Sequence, residues 1–91
     1  MQDTAESIEL SIVLPALNEA ESLRTILPNL VTRFPAAEII VVDDGSRDDT
    51  AAVCAGHPVR LIRNSYRMGN DAAIKRGARN ARGRYLAMMD A

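Results

Sequence analysis

The pattern of hydrophobic and polar positions along the chain predicts four short strands that alternate with three helices. Residues 39–42 are consecutive apolar residues, which is typical of a strand buried on both faces of a parallel sheet. Other apolar runs predict further strands at residues 8–14, 59–63 and 85–89. Helical spacing of apolar residues and helix-capping signals predict helices at residues 19–33, 48–55 and 71–82.

This element order predicts the fold. The connections between successive strands are long enough for helical crossovers, so the strands should be parallel and the crossovers right-handed. We therefore predict an α/β domain over residues 1–91, with an open parallel sheet of about four strands in the order 3-2-1-4 and helices on both faces. In such sheets ligands bind at the carboxyl ends of the strands, beside the point where the strand order reverses.

Several residues predict where the helices begin and end. Asn18 with Glu21, and Ser46 with Asp49, have the spacing of a capping box, so we expect each pair to cap a helix. Pro28 lies inside the first helical pattern and removes a backbone donor, so we expect it to kink or split that helix.

Small residues mark one face of the third helix. Ala73, Gly77 and Ala81 are four positions apart, which lets that face approach the sheet closely. Lys75, Arg79 and Arg82 lie on another face, which we expect to be solvated, and Gly83 is expected to end the helix.

Composition and charge narrow the classes of partner. Residues 1–50 carry ten acids and three bases (−7), whereas residues 51–91 carry two acids and eight bases (+6). The basic half has almost no aromatic residues for stacking, so nucleic acid is not expected as a partner. No apolar run is long enough for a membrane span. The single cysteine, Cys54, suits a reducing compartment such as the cytoplasm, and we expect it to be buried.

Carboxylates follow three of the predicted strands. Glu19 comes after the first, Asp43 and Asp44 directly after the second, and Asp90 after the fourth. At one edge of a sheet they would repel one another unless a cation or hydrogen-bond donors compensate, and a phosphate ligand would need a cation such as Mg²⁺ or Mn²⁺. The loop 15–19 carries neither a Rossmann nor a P-loop glycine pattern, which disfavours dehydrogenases and P-loop kinases.

Four ordered motifs resemble those of the family 2 glycosyltransferases of GT-A fold. The resemblance spans nearly the whole chain and is strongest to dolichyl-phosphate mannose synthases and bacterial undecaprenyl-phosphate sugar transferases. The motifs are Pro15-Ala-Leu-Asn-Glu19, Val41-Val-Asp-Asp-Gly-Ser46 with Asp48 and Thr50, Gly69-Asn-Asp-Ala-Ala-Ile-Lys-Arg-Gly77, and Asp90-Ala91.

The resemblance implies an activity and a set of site residues. It implies inverting transfer of a sugar from a UDP- or GDP-sugar to an acceptor such as a polyprenyl phosphate, with Mg²⁺ or Mn²⁺ as cofactor. It also implies that Pro15, Leu17 and Glu19 hold the nucleotide and that Val42 and Asp44 lie beside the base or ribose. By the same resemblance, Asp90, followed by Ala91, begins the Asp-x-Asp motif, which contacts the ribose, the metal and the diphosphate.

The chain departs from the family pattern at two places. Asp71 stands where the family commonly has glycine, which puts a carboxylate near the expected diphosphate.

The printed sequence stops one residue before the second acid of the Asp-x-Asp motif, so we expect an amino-terminal part of a longer enzyme that is inactive alone. Its parent would act in the cytoplasm, at the inner face of a membrane. The fourth strand would form an open sheet edge, through which we expect self-association.

Two alternatives to a donor-binding domain stay open. One is a non-catalytic binding or structural remnant. The other is a phospho-accepting receiver domain, since Asp43 and Asp44 resemble its acidic pair and Asp90 its phospho-acceptor. A receiver's acidic pair should follow the first strand, however, and here a strand and a helix precede it.

Overall fold

The computed structural model describes residues 7–91 and contains the predicted elements in the predicted order. All the strands pair in parallel, in the order β3-β2-β1-β4, which confirms the predicted fold class and strand order. No helix within the described part of the chain is long and apolar enough to cross a bilayer. The elements are β1 (Leu10–Ala16), α1 (Ala20–Arg33), β2 (Glu38–Asp43), α2 (Thr50–Ala55), β3 (Arg60–Arg63), α3 (Asn70–Asn80) and β4 (Tyr85–Met88).

The two faces of the sheet carry separate hydrophobic cores. Side chains alternate between the faces of a strand, so along β1 Leu14 points into one core and Val13 into the other. The larger core joins β1 and β2 to α1 and α2, while the smaller one lies between the same strands and α3. Cys54 is buried in the larger core, as predicted. Burial and the nearby charge of Asp43 raise its pKa to about 11, so the thiol stays protonated.

A predicted break and a predicted helix end do not occur. Pro28 does not split α1, which runs unbroken to Arg33 with Pro28 on its exposed face. Gly83 does not end α3, which already stops at Asn80. It instead lies where the chain crosses β1 so closely that a Cβ there would be 2.7 Å from the Ser11 amide nitrogen. Gly83 is therefore needed for a close backbone approach.

A buried carboxylate at the amino edge of the sheet holds this crossing in place. Glu38 accepts hydrogen bonds from the Ser11 hydroxyl (2.8 Å), the Arg82 amide (2.8 Å) and Arg60 Nη1 (2.6 Å). The Gly83 amide in turn donates to the Ser11 hydroxyl at 2.8 Å. Burial alone would raise the pKa of Glu38, but these donors outweigh it and hold the pKa below its ordinary value. The network fixes the start of β4 against β1 and β2.

The small-residue face of α3 gives a test of the packing. A Cβ on Gly77 would lie 2.4 Å from Val13 Cγ1 and 3.0 Å from Val42 Cγ2. Overpacking costs about 1–3 kcal/mol, while alanine gains about 1 kcal/mol in helix propensity, so Gly77→Ala should lose up to about 2 kcal/mol of unfolding free energy. Urea unfolding followed by circular dichroism measures this loss.

The control for Gly77→Ala is the same substitution in a Val13→Ala background. The smaller side chain makes room for the new methyl group, so the double variant should lose less stability than the sum of the two single losses. A Gly77→Ala protein more stable than the wild type would contradict the packing.

The Glu38 network predicts a pH dependence of stability. A carboxylate with a depressed pKa in the folded state contributes fully above its unfolded pKa of about 4.3, and this contribution is lost as the pH falls through the folded pKa. Glu38→Gln should therefore cost about 1–2 kcal/mol at pH 7, and the gap to the wild type should narrow below roughly pH 4. The exposed Glu9 provides the control: Glu9→Gln should leave the wild-type curve nearly unchanged. A gap that stays constant down to acid pH would refute the assignment.

Candidate functional site

A cavity of about 230 Å³ opens at the carboxyl edge of the sheet, beside the switch point between β1 and β4. The loops after β1 and β2 and the segment after β4 meet there, as the sequence predicted. All but one of the predicted site residues line this cavity. Those that line it are Pro15, Leu17, Glu19, Asp44, Asp90 and Ala91.

Val42 is the predicted site residue that does not line the cavity. Its side chain is fully buried and belongs to the core under α3, with Val13, Ile40 and Ala73. Asp71, the acid that departs from the family pattern, is exposed in the first turn of α3 and is also absent from the lining. The structure therefore places Val42 in the packing beneath the site and Asp71 outside it.

Asp44 is the best-connected carboxylate of the cavity. Its Oδ1 accepts hydrogen bonds from Asn64 Nδ2 and the Met68 amide, both at 2.8 Å, and its Oδ2 accepts one from the Gly69 amide at 2.9 Å. These donors come from the loop between β3 and α3. The side chain of Asp44 thus fixes this loop, up to Gly69 just before α3, against the end of β2.

The same contacts keep Asp44 ionised. It is 4% exposed, and burial alone would raise its pKa. The amide of Met68, the side chain of Asn64, the amide of Gly69 and the nearby charge of Arg67 outweigh burial, so the pKa lies below its ordinary value. The cavity therefore carries a negative charge on Asp44 at neutral pH.

Gly45 allows the loop after β2 to approach the β3–α3 loop. Its φ is +84°, and a Cβ there would lie 2.9 Å from the Arg67 amide nitrogen and 3.0 Å from the Tyr66 carbonyl carbon. Any side chain at this position would push residues 66 and 67 away from the cavity. The sequence placed Gly45 in the motif after β2 but gave no sign of this close approach.

Cross-bonds between two loops replace both predicted capping boxes. Neither α1 nor α2 has a side-chain cap from its own N-cap residue, and α2 begins only at Thr50. The Ser46 hydroxyl accepts a hydrogen bond from the Asn18 amide, and Asn18 Oδ1 accepts one from the Arg47 amide, each at 2.8 Å. Because Asn18 and Ser46 bond to each other's loops, neither is free to cap its own helix.

Asp48 takes over the capping of both helices. Its Oδ2 accepts a hydrogen bond from the Ala20 amide at the start of α1 (3.1 Å), and its Oδ1 accepts from the amide (3.0 Å) and hydroxyl (2.5 Å) of Thr50 at the start of α2. The Thr50 hydroxyl, then the two amides, hold the pKa of Asp48 below its ordinary value. Sequence spacing alone could not reveal a cap 28 residues away from the helix it caps.

Arg67 is a site residue that the sequence analysis missed. It lines both the cavity and a more open cleft of about 920 Å³ next to it, and Leu17 also lines both. Arg47, Arg63 and Tyr66 line the cleft as well, so positive side chains border an acidic cavity. The only sequence signal was the position of Arg67 in the loop just before α3.

The acids of the site do not form a complete metal centre by themselves. Glu19, Asp44 and Asp90 line one cavity. Yet within residues 7–91 no group of three or more His, Cys, Asp or Glu side chains is close enough to hold a metal ion. Asp43 does not line the cavity. Its Oδ1 accepts a hydrogen bond from the Ser46 amide, and its Oδ2 lies 3.3 Å from Arg63 Nε. Asp43 also lies at the end of the second strand, whereas a receiver's acidic pair would follow the first strand.

Curated relatives of the chain are glycosyltransferases. It is 33% identical over 101 residues to the dolichol-phosphate mannosyltransferase of Mycosarcoma maydis, covering 97% of this chain and 34% of that protein. It is 36% identical over 102 residues to the dodecaprenyl-phosphate galacturonate synthase of Rhizobium johnstonii, covering 97% of this chain and 29% of that protein. The chain thus spans about a third of the length of these relatives.

A solved structure supports the same assignment. The glucosyl-3-phosphoglycerate synthase of Mycobacterium tuberculosis, in complex with Mn²⁺, UDP and glucosyl-3-phosphoglycerate, matches with a TM-score of 0.80 and 26% identity. The match covers 96% of this chain and 34% of that one. Residues 11–91 match the domain described as glycosyl transferase family 2. With its parallel sheet in the order 3-2-1-4 and its acids at the carboxyl edge, the chain belongs to glycosyl transferase family 2, whose fold is GT-A.

Proposed function

We propose that these 91 residues are the donor-binding part of an inverting glycosyltransferase that takes its sugar from a UDP- or GDP-sugar. The observation that carries the proposal is the convergence of Glu19, Asp44 and Asp90 with Pro15 and Leu17 on one cavity at the carboxyl edge. Ligands of open α/β sheets bind at this edge, and the chain's family membership makes a nucleotide-sugar the natural ligand.

The shape of the site favours an extended ligand. The cavity, at about 230 Å³, is smaller than the roughly 300–1,000 Å³ typical of small-molecule sites. A nucleotide-sugar would therefore reach beyond it, and the cleft bordered by Leu17 and Arg67 is directly adjacent. Leu17 offers an apolar surface to a base, while Asp44 accepts hydrogen bonds and Arg67 donates them.

Asp90 is the proposed protein ligand of a divalent cation. It is exposed at the mouth of the cavity, and a carboxylate oxygen suits Mg²⁺ or Mn²⁺. Such ions are commonly held by one or two carboxylates together with substrate phosphates, so a single acid fits a site that a diphosphate completes. The cation would neutralise the diphosphate as it leaves the sugar. Mn²⁺ accompanies UDP in the Mycobacterium tuberculosis structure, which supports this assignment.

The relatives suggest the acceptor. Two of them are named for dolichol phosphate and dodecaprenyl phosphate, so we propose a polyprenyl phosphate as the acceptor of the whole enzyme, at the inner face of a membrane. Because the chain spans about a third of these relatives, we expect it to bind the donor without transferring the sugar. We also propose that it self-associates through the exposed sheet edge at β4.

The first test is binding of nucleoside diphosphates. We expect UDP or GDP to bind with a dissociation constant of about 1 mM, equivalent to about −4 kcal/mol, because only part of the donor's surface is contacted. Asp44→Ala should abolish measurable binding, since it releases the β3–α3 loop and removes an acceptor from the cavity. Calorimetric titration measures both. Asp71→Ala, which removes an exposed acid outside the cavity, should leave the affinity unchanged. Equal affinities of the Asp44→Ala protein and the wild type would rule out this site.

The second test separates the metal from the nucleotide. Mn²⁺ should strengthen binding of the diphosphate slightly, by about twofold to fivefold, and Asp90→Asn should remove this gain because the amide is a poorer cation ligand. Affinity for the nucleoside monophosphate in EDTA should be the same in both proteins. An undiminished Mn²⁺ effect in Asp90→Asn would show that Asp90 is not the cation ligand.

A further inference from the structure

Asn64 links the buried carboxylate of Asp44 to α3. It follows β3 directly and is 3% exposed. Its side-chain Nδ2 donates a hydrogen bond to Asp44 Oδ1 at 2.8 Å, and its Oδ1 accepts one from Arg76 Nη1. Arg76 lies in the middle of α3 and does not line the cavity. A cation on a helix is thus connected, through one buried amide group, to the acid that organises the cavity.

The two neighbours of Asn64 allow only one orientation of its amide group. A guanidinium can only donate hydrogen bonds, and an ionised carboxylate can only accept them. The amide oxygen must therefore face Arg76, and the amide nitrogen must face Asp44. If the amide were turned by half a revolution, its oxygen would meet the carboxylate and its donors would meet the guanidinium. Both contacts would then be repulsive.

Arg76 also holds the backbone at this point. The same Nη1 donates a hydrogen bond to the carbonyl of Arg63, the last residue of β3, at 3.1 Å. The Asn64 amide donates to the Asp43 carbonyl at 2.8 Å, which continues the pairing of β3 with β2 by one residue. Both the backbone and the side chain of Asn64 are therefore fixed, and Arg76 ties this position to α3.

The other donors to Asp44 depend on the same amide group. The Met68 amide shares Asp44 Oδ1 with Asn64, and the Gly69 amide bonds to Oδ2. The terminal torsion of an aspartate has broad energy wells, so the carboxylate turns easily unless its partners hold it. Without the Asn64 donor, Asp44 would be less firmly oriented, and the two loop amides would lose a fixed acceptor.

We propose that Arg76 is a positioning residue of the donor site, which acts through the amide group of Asn64 on the carboxylate of Asp44. Arg76 does not line the cavity, so it would act without touching the donor. By setting the Asn64 amide, it keeps Asp44 in the orientation that binds the β3–α3 loop. Its effect on nucleotide binding rests on the proposed function, whereas its effect on the loop does not, and the two are measured separately.

The first experiment follows the loop by nuclear magnetic resonance in the protein without nucleotide. Arg76→Met removes the donors but keeps a similar helix propensity. Amide exchange of Met68 and Gly69 should become about tenfold faster, because the loop opens more often. The two side-chain amide protons of Asn64 should also move closer together in chemical shift. The matched control is Arg79→Met, since Arg79 is an exposed arginine of the same helix whose side chain makes no hydrogen bond or ion pair within residues 7–91.

The second experiment measures affinity for UDP and GDP by titration. Arg76→Met should weaken binding by about threefold to tenfold, as expected for residues that share one hydrogen-bond network. Arg76→Lys restores a charged donor and should recover most of this loss. Asn64→Ala should weaken binding at least as much as Arg76→Met. Because Arg76 acts through Asn64, adding Arg76→Met to Asn64→Ala should change the affinity by less than about twofold further.

Each result either supports or overturns the positioning role. Unchanged exchange of the two loop amides in Arg76→Met, or an equal change in Arg79→Met, would overturn it. Fully additive losses in the double variant would do the same, because Arg76 would then act by a route other than Asn64. A wild type that binds neither nucleotide would refute the proposed function, while faster exchange in Arg76→Met alone would still support the link from Arg76 to Asp44.

Discussion

The arrangement of the site depends on the carboxylate of Asp44. Three donors from the β3–α3 loop converge on it, and because it is buried and ionised, losing the Gly69 amide would leave its Oδ2 unpaired in the protein. Gly45 next to it lets the loop come within contact distance. The position of Arg67, the start of α3 and the depth of the cavity all follow from this anchor.

A second set of polar contacts holds the other two loops. Asn18 and Ser46 bond across the loops after β1 and β2, and Asp48 caps the helices that follow both. The cavity is thus bounded by loops that are tied to one another by side chains. Such pre-organisation lowers the cost of binding, because less loop freedom is lost when a ligand arrives. At the opposite edge of the sheet, the hydrogen bonds of Glu38 hold the chain before β4 in place. They fix the start of β4 and therefore the position of Asp90 at its other end.

The sequence was sufficient for the fold and for most of the candidate site. The apolar run of β2 and the crossover lengths predicted the parallel order, and acids placed after strands had to meet at one edge. It was insufficient where a residue's partner is distant in the chain. Asn18 and Ser46 had local capping patterns but bond to each other across 28 positions, and Asp48, which had no such pattern, caps α1 from 28 positions away. Gly83 looked like a helix end, yet Ser11, 72 residues before it, explains its size.

The central claim is that a nucleotide binds at the carboxyl edge, in the cavity that Asp44 organises. The most direct measurement is a map of backbone amide shifts by nuclear magnetic resonance during titration with UDP and GDP. The account predicts that the largest changes fall on residues 16–19, 44–47, 66–70 and 90–91, while residues 81–84 and Glu38 at the amino edge stay unchanged. Changes centred on the amino edge, or spread evenly over α3, would contradict it.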